Sequence, residues 1–376
     1  AKDFTDKDEI KHTEAVETMV ALNVIAGQPD GSFEPTGSLT RAQMAKIITY
    51  IMNGGVEPVL GTKPTPTYKD IDGHWAEGYI EYCTSMGIIA GVGSGYFNPE
   101  GTLTGSQAAK MLLTAMGYKA EVFGFVGNDW AINVSRYANE AGLYDKLSGM
   151  DPSTTISRDD ACQLAFNAIQ APLMVRGWQM NQSTGQVTET YTLSVDNEGK
   201  PIKTLLTDKF GALTFVGTFT NNSDTNTGIK DGQIQISGKL TTDAENVSNR
   251  TATFTSDVDI TNIGEEYKVI FKDGTGGTDD RPDDKDTVYG VFKTGNTEVL
   301  AATKGDMGNQ KSSDAMIVVN GTEYNTTNTV KVYTNYVNRA STYSAIDGNS
   351  ANNSSLTAAL KVQSVDTIKF VFDEDG

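Results

Sequence analysis

One phrase occurs twice in this chain and, more faintly, a third time. Residues 27–48 read GQPDGSFEPTGSLTRAQMAKII and residues 91–113 read GVGSGYFNPEGTLTGSQAAKMLL. Residues 150–169, MDPSTTISRDDACQLAFNAI, form a looser copy. Such a repeat marks one supersecondary unit that cannot bury its apolar face alone and stacks on its own copies. The first half of the chain is therefore expected to be an array of three units, and the second half, which lacks the phrase, to be something else.

Each copy follows the same physical order. A turn-rich loop comes first, with Asp30, Gly31, Phe33 and Pro35 in one copy and Gly95, Phe97, Pro99 and Gly101 in the next. A helix start follows. Thr40 with Gln43 and Thr104 with Gln107 have the spacing of capping boxes, and Ser157 with Asp160 is a looser version. Apolar residues then recur at helical spacing: Met44, Ile47, Ile48 and Ile51, then Ala108, Met111, Leu112 and Ala115. Upstream of each loop lies another amphipathic helix, carrying Ala15, Val16, Met19 and Leu22 in the first copy. The second and third stop at Gly87 and Gly142, as glycine just past a last turn does. The unit is helix, loop, helix.

Arg41 and Arg158 sit in the first helical turn, directly after the capping residue. That end of a helix carries partial positive charge and prefers Asp or Glu. A guanidinium beside uncapped helix N–H groups would make an anion site, with a fork that fits carboxylate or phosphate. The plain alternative is a local salt bridge to a neighbouring carboxylate. The same placement in two of three copies favours an anionic ligand.

The stretch YKDIDGHWAEGYIEYCTSMGIIAG (residues 68–91), with the loop after it and LTRAQ of the first copy, resembles the S-layer homology domain. The resemblance covers roughly residues 3–171. It implies a pseudo-threefold all-α bundle of three units that anchors a bacterial surface protein, non-covalently, to secondary cell-wall polysaccharide, often through pyruvylated sugars. It also implies grooves between adjacent units, lined by the motif Arg, the Asp and Trp of the first helix, and loop glycines. Carried over by match, these are Arg41, Asp70, Trp75, Gly91 and Arg158, with Asp129 and Trp130 from the third copy. His74 precedes Trp75 as in the family, as a glycan contact or a helix-capping histidine. Two departures limit the reading. The second copy has Gly105 and Ser106 where Arg-Ala is expected, and the first has EIKHTEAVE in place of His-Trp-Ala. One or two working grooves are expected, not three.

Composition is that of a secreted surface protein. Net charge is −18, with about eight of the excess negative charges in the first 180 residues and about ten beyond. This argues against nucleic acid and anionic membranes as partners, and no apolar run approaches a membrane span. Ala1 just before the repeat fits a mature chain after signal cleavage. Cys83 and Cys162 fall on helix faces of different copies and read as buried free thiols. With two histidines in all, no zinc spacing appears.

From about Gln179 the text becomes rich in Thr, Asn, Val, Asp and Gly. Short alternating runs, such as 188–195, 213–220, 233–240, 251–260, 267–272 and 287–293, are bounded by Gly and Asn turns and predict strands of a small barrel or sandwich. The expected organisation is repeats at 1–55, 66–118 and 122–172, then one or two all-β domains over 185–376. The acidic loop 275–286 is expected to be solvated. Within it Asp279, Asp280, Asp283 and Asp284 are candidate calcium ligands, although the stretch lacks the alternation and closing Glu of a known calcium loop. No nucleophile elbow or metalloprotease motif is present, so the chain is not expected to be an enzyme. Two functions remain. In one, the repeats hold the wall polymer and the β region joins copies of the chain into a surface layer or filament. In the other, the repeats display a β domain that binds or processes a carbohydrate or host ligand.

Overall fold

The computed structural model describes residues 4–61, 63–223, 226–241, 248–275, 280–302, 306, 316–325, 329–334, 342–347 and 368–372. Helices fill the first part: α1 (Thr13–Ala21), α2 (Arg41–Met52), α3 (Glu77–Ser85), α4 (Gly105–Ala115), α5 (Trp130–Glu140) and α6 (Arg158–Gln170). In chain order they fall into three helix–loop–helix units, and they pack across units: α2 against α3, α4 against α5 and α1 against α6. Thr40 and Thr104 close true capping boxes with Gln43 and Gln107, and Ser157 caps Asp160 N–H alone. Gly87 and Gly142 end α3 and α5 at φ 69° and 71°, a left-handed turn that a Cβ would strain.

The three segments before α2, α4 and α6 tie the units to one another. Leu39 N–H donates to Ile156 O (3.4 Å), Ile156 N–H to Leu103 O (2.9 Å), and Leu103 N–H to Leu39 O (3.1 Å), a closed ring of backbone bonds. All three side chains are buried. The ring gives each unit two neighbours, and each loop sits beside the helix start of the unit before it in the cycle.

Beyond α6 the chain turns to strands: β1 (Met174–Met180), β2 (Val187–Leu193), β3 (Ala212–Asn222), β4 (Gln233–Leu240), β5 (Arg250–Thr255), β6 (Glu266–Lys272), β7 (Thr287–Lys293), β8 (Val299–Ala302), β9 (Met316–Val319), β10 (Thr322–Asn325), β11 (Thr329–Thr334), β12 (Thr342–Asp347) and β13 (Ile368–Val371). A short helix, α7 (Leu205–Phe210), precedes β3. Every pairing is antiparallel. Five strands form one sheet in the order β5-β4-β3-β6-β7, and the others pair as two-stranded ribbons. Helices followed by antiparallel sheet match the expected class. The five-stranded order is open, so these strands do not close into a barrel among themselves.

Phe215, Phe219, Ile236, Phe254, Val269 and Phe271 build a core on one face of the sheet. Ile270, from the other face, joins the helical core, as do Leu205, Leu206, Phe210 and Ala212. The predicted strand 251–260 stops at Thr255. The segment after it bends into a turn that Asp259 fixes by accepting from the Thr261 N–H and hydroxyl. Both cysteines are buried free thiols, as expected. Burial pushes the Cys83 thiol up to about 12, opposed by its hydrogen bond with Thr49, and pushes Cys162 up as well.

Candidate functional site

Each helix start is closed by the loop of a neighbouring unit. Arg41 and Ala42 N–H donate to Gly101 O and Pro99 O, both at 2.9 Å. Arg158 and Asp159 N–H donate to Gly37 O (2.7 Å) and Pro35 O (3.1 Å). Gly105 and Ser106 N–H donate to Thr154 O (3.1 Å) and Pro152 O (2.7 Å). The third N–H of each helix goes to the capping hydroxyl. This corrects one expectation: these helix starts offer no uncapped N–H groups to an anion, and any anion site rests on the side chains.

The Arg41 side chain reaches across to the second unit's loop. Nε donates to Phe97 O and Nη2 to Ala90 O, each at 2.8 Å, and the guanidinium lies 4.3 Å from the centre of the Phe97 ring. Arg158 does the same to the first unit's loop: Nη2 donates to Ala26 O (2.6 Å), with the guanidinium 5.0 Å from the Phe33 ring. Its Nε is buried with no partner. Neither guanidinium has a carboxylate within ion-pair distance among the described residues, so the plain salt-bridge reading fails. Burial lowers both pKa values, opposed for Arg41 by Tyr68 and Asp70. Both remain cations at any working pH. Two half-buried cations, fixed by carbonyls and carrying unspent N–H donors, are what an outside carboxylate could complete.

Asp70 has a structural task. Its two carboxylate oxygens accept from Phe97 N–H (2.8 Å) and Asn98 N–H (2.7 Å), which fixes the loop on which Arg41 rests. Burial works to raise its pKa, but these two bonds and Arg41 leave it lowered. Asp6 repeats the clamp in the first unit on Phe33 and Glu34 N–H, both at 2.8 Å. Gly91 is needed for close approach: a Cβ there would stand 2.6 Å from both Tyr68 Cε1 and Tyr96 O. Gly27 stands in the same relation to Phe4 and Ser32 O. Asp6 and Gly27 were missed in the sequence reading, although their offset of 64 from Asp70 and Gly91 equals that of Phe33 from Phe97.

His74 acts as a cap and a tie. Its Nδ1 accepts from Ala76 N–H (3.1 Å), which assigns the proton to Nε2, bonded to Glu100 Oε1 at 2.8 Å. Trp75 is exposed, with ring centres 5.5 Å from His74 and 6.5 Å from Tyr79. Arg41, Asp70, His74 and Gly91 thus converge on the loop 90–101, with Trp75 at its rim. Arg158 belongs to a separate place, the loop 26–37 with Asp6 and Phe33. Asp129 and Trp130 join neither. Asp129 makes no side-chain cap at the start of α5, and Trp130 lies half-buried with Lys110 Nζ 5.3 Å from its ring. At the third junction Met150 and Pro152 fill the space where Gly105 would carry a side chain: a Cβ there would meet Pro152 Cα at 3.0 Å and Met150 Cε at 3.2 Å.

The described end of the acidic loop, residues 280–286, is tied to the sheet by its carboxylates. Asp284 Oδ1 accepts from Thr255 N–H (2.8 Å) and hydroxyl (2.9 Å), and Oδ2 from the Gln233 amide. Asp280 pairs with Arg250 at 2.6 Å, and Asp283 Oδ1 accepts from Lys285 N–H at 2.7 Å. Protein donors therefore engage Asp280, Asp283 and Asp284; Asp279 lies outside the described residues. Among the described residues no group of three acidic, histidine or cysteine side chains is placed to hold a metal ion, and no helix is long and apolar enough to cross a membrane.

Two loops that cradle a helix-start arginine, each clamped by an aspartate and floored by a glycine, define a repeat module. The sequence model of the S-layer homology domain matches at residues 3–45 and 67–109, the two units that carry this geometry. The chain is also similar to a cell surface protein of Thermoanaerobacter kivui, at 24% identity over 360 residues, 90% of this chain and 45% of that one. An S-layer protein of Bacillus licheniformis is 28% identical over 158 residues, 40% of this chain and 18% of that one. A cellulosome-anchoring protein of Acetivibrio thermocellus is 32% identical over 100 residues, 26% of this chain and 22% of that one. The chain is a surface protein carrying S-layer homology domains, secreted and associated with the cell wall. It spans less than half the length of these relatives.

Proposed function

We propose that residues 1–172 form a pseudo-threefold bundle that anchors the chain to an anionic secondary cell-wall polysaccharide, and that the region from 185 onward joins copies of the chain into a surface layer or filament. The observation that carries the anchoring is the pair Arg41 and Arg158, held by carbonyls and left without a carboxylate. The groove on loop 90–101, with Arg41, Asp70, His74, Trp75 and Gly91, is the principal one, and that of Arg158 is the second. Asp129 and Trp130 flank the third junction, which lacks its cation. The ligand is an acidic sugar whose carboxylate takes the unspent guanidinium donors while a ring stacks on Trp75. No catalysis is assigned. Retention on purified wall sacculi, before and after the secondary polymer is extracted, tests the anchoring. Loss of retention on stripped walls is expected, and equal retention sinks the idea.

The alternative is an anchored effector whose β region binds or processes a carbohydrate or host ligand. Trp178, an exposed aromatic on β1 just ahead of that region, favours it.

A further inference from the structure

The β1–β2 ribbon is amphipathic, and among the described residues the helical half meets it through Tyr191 and through Lys119 on Glu189. Residues 174, 176, 178 and 180 pair with 193, 191, 189 and 187, so these eight side chains share one face. That face carries Met174, Trp178, Met180, Val187, Tyr191 and Leu193 around the Arg176–Glu189 ion pair. At the base, the Tyr191 ring meets Phe123 of the helical half at 5.6 Å, edge to face. At the tip no other element among the described residues packs on it, and only the ribbon's own Arg176 guanidinium lies over the Trp178 ring, at 4.6 Å; Trp178 and Met180 are each 63% exposed and Val187 56%. The opposite face, with Gly177, Gln179, Thr188, Thr190 and Thr192, is polar apart from Val175. Alternation of this kind belongs to a strand pair with one covered side. A lone two-stranded ribbon is marginal in water until a third element packs on it.

We propose that the bare tip is a contact between two copies of this chain, in which two ribbons stack apolar face on apolar face. This deepens the self-assembly reading above and rests on it. Charge selects the occupant. The chain carries −18, so two copies repel over most of their surface. Residues 174–193 hold one Arg and one Glu, already paired, and are net neutral. Copies can close there without like-charge contact. One edge of the five-stranded sheet is occupied: β5 carries the 280–286 segment, bonded through Asp284 to Thr255. A tip of this size makes a small interface, weak for one pair. It gains from multiplicity once the repeats hold many copies on one wall.

The test is sedimentation of the full chain over a wide concentration range, beside Trp178→Lys and Met180→Ser, with circular dichroism confirming that both variants fold. A Val187→Cys variant, placed on the apolar face in a chain whose native thiols are buried, reports contact by intermolecular disulfide. The wild-type mass is expected to rise with concentration, the two tip variants to need at least tenfold more protein for the same rise, and the Val187→Cys chain to cross-link. Tip variants that assemble like the wild type overturn the tip as the joint and leave self-assembly standing. A wild type that stays monomeric throughout overturns both. Trp178 fluorescence that responds to wall oligosaccharides, with no change in mass, overturns the contact in favour of the effector reading.

Discussion

Arg41 spends its Nε and one terminal nitrogen on two carbonyls of the neighbouring loop, and this fixes the direction of what remains. Arg41→Ala is expected to weaken wall retention by about 10- to 100-fold, the span of a charge-assisted hydrogen bond to a partly desolvated carboxylate. Arg41→Lys should recover little, because a point charge cannot bond both carbonyls and still present a fork. Binding isotherms on sacculi check both. The control must be a solvated lysine. Lys110, which reads as one in the sequence, is half-buried against Trp130 with its pKa lowered by that burial. Lys200, exposed and paired only with Glu198, serves instead, and Lys200→Ala should bind as the wild type. Asp6 and Asp70 set the acid limit of the same loops. Both carboxyls are held below the ordinary 3.8 by two loop N–H groups each, which outweigh the opposing effect of burial. A depressed folded-state pKa gives stability that is full above the unfolded value and lost as pH falls through the folded one. Wall retention and the loop signals in NMR should therefore hold down to about pH 4 and weaken progressively as the pH falls further. An unchanged loop at pH 2 would show that the clamps do not matter.

Loops and helix starts carry most of what was readable beforehand. Capping boxes, glycine stops and the apolar helix faces are local signals, so Thr40 with Gln43, Gly87, and Met44 with Ile48 read correctly from the text. The ring through Leu39, Ile156 and Leu103 joins residues more than fifty positions apart, and no local pattern encodes it. The same holds for the carbonyls that close each helix start. That is why N–H groups expected to await a ligand turn out to be bonded to Gly101, Pro99 and their counterparts. Strand β1 went unread because Gly177 and Arg176 interrupt its apolar run, and α7 because six residues are too few for periodicity. The floor of the loop is testable at this scale. Gly91→Ala forces Tyr96 O or the Tyr68 ring to move, an overpacking that costs about 1–3 kcal/mol. Gly93→Ala meets no atom, although φ of 108° strains it. Thermal melts should rank Gly91→Ala as the more damaging, with wall binding reduced in step. The third junction makes the converse case: Gly105→Arg should lower stability and create no third groove, since Met150 and Pro152 already hold the space.

At the scale of the whole molecule, the repeats and the sheet share a core. Phe210, 3% exposed, docks α7 against the turn after α2. Gly54 and Gly55 there, at φ 65° and 79°, let the backbone pass within reach of Lys209 O and Leu22 O. Glu14 of α1 accepts from Lys146 at 2.7 Å and pairs with Lys268 of β6, whose ammonium also lies 5.1 Å from the Phe166 ring. A β fragment starting at 185 would leave Leu205, Leu206, Phe210 and Ile270 bare, so assembly has to be measured on the full chain. The same continuity predicts coupled unfolding. Truncating Phe210 to Ala removes a fully packed ring, at a cost of about 3–5 kcal/mol. That loss should appear in the helices as well as in the sheet. Hydrogen exchange of Phe210→Ala is the measurement, with the amides of α2 and β3 followed together. Joint loss of protection is expected. Protection lost in β3 alone, with α2 unchanged, would mean that the repeats stand independently of the sheet they carry.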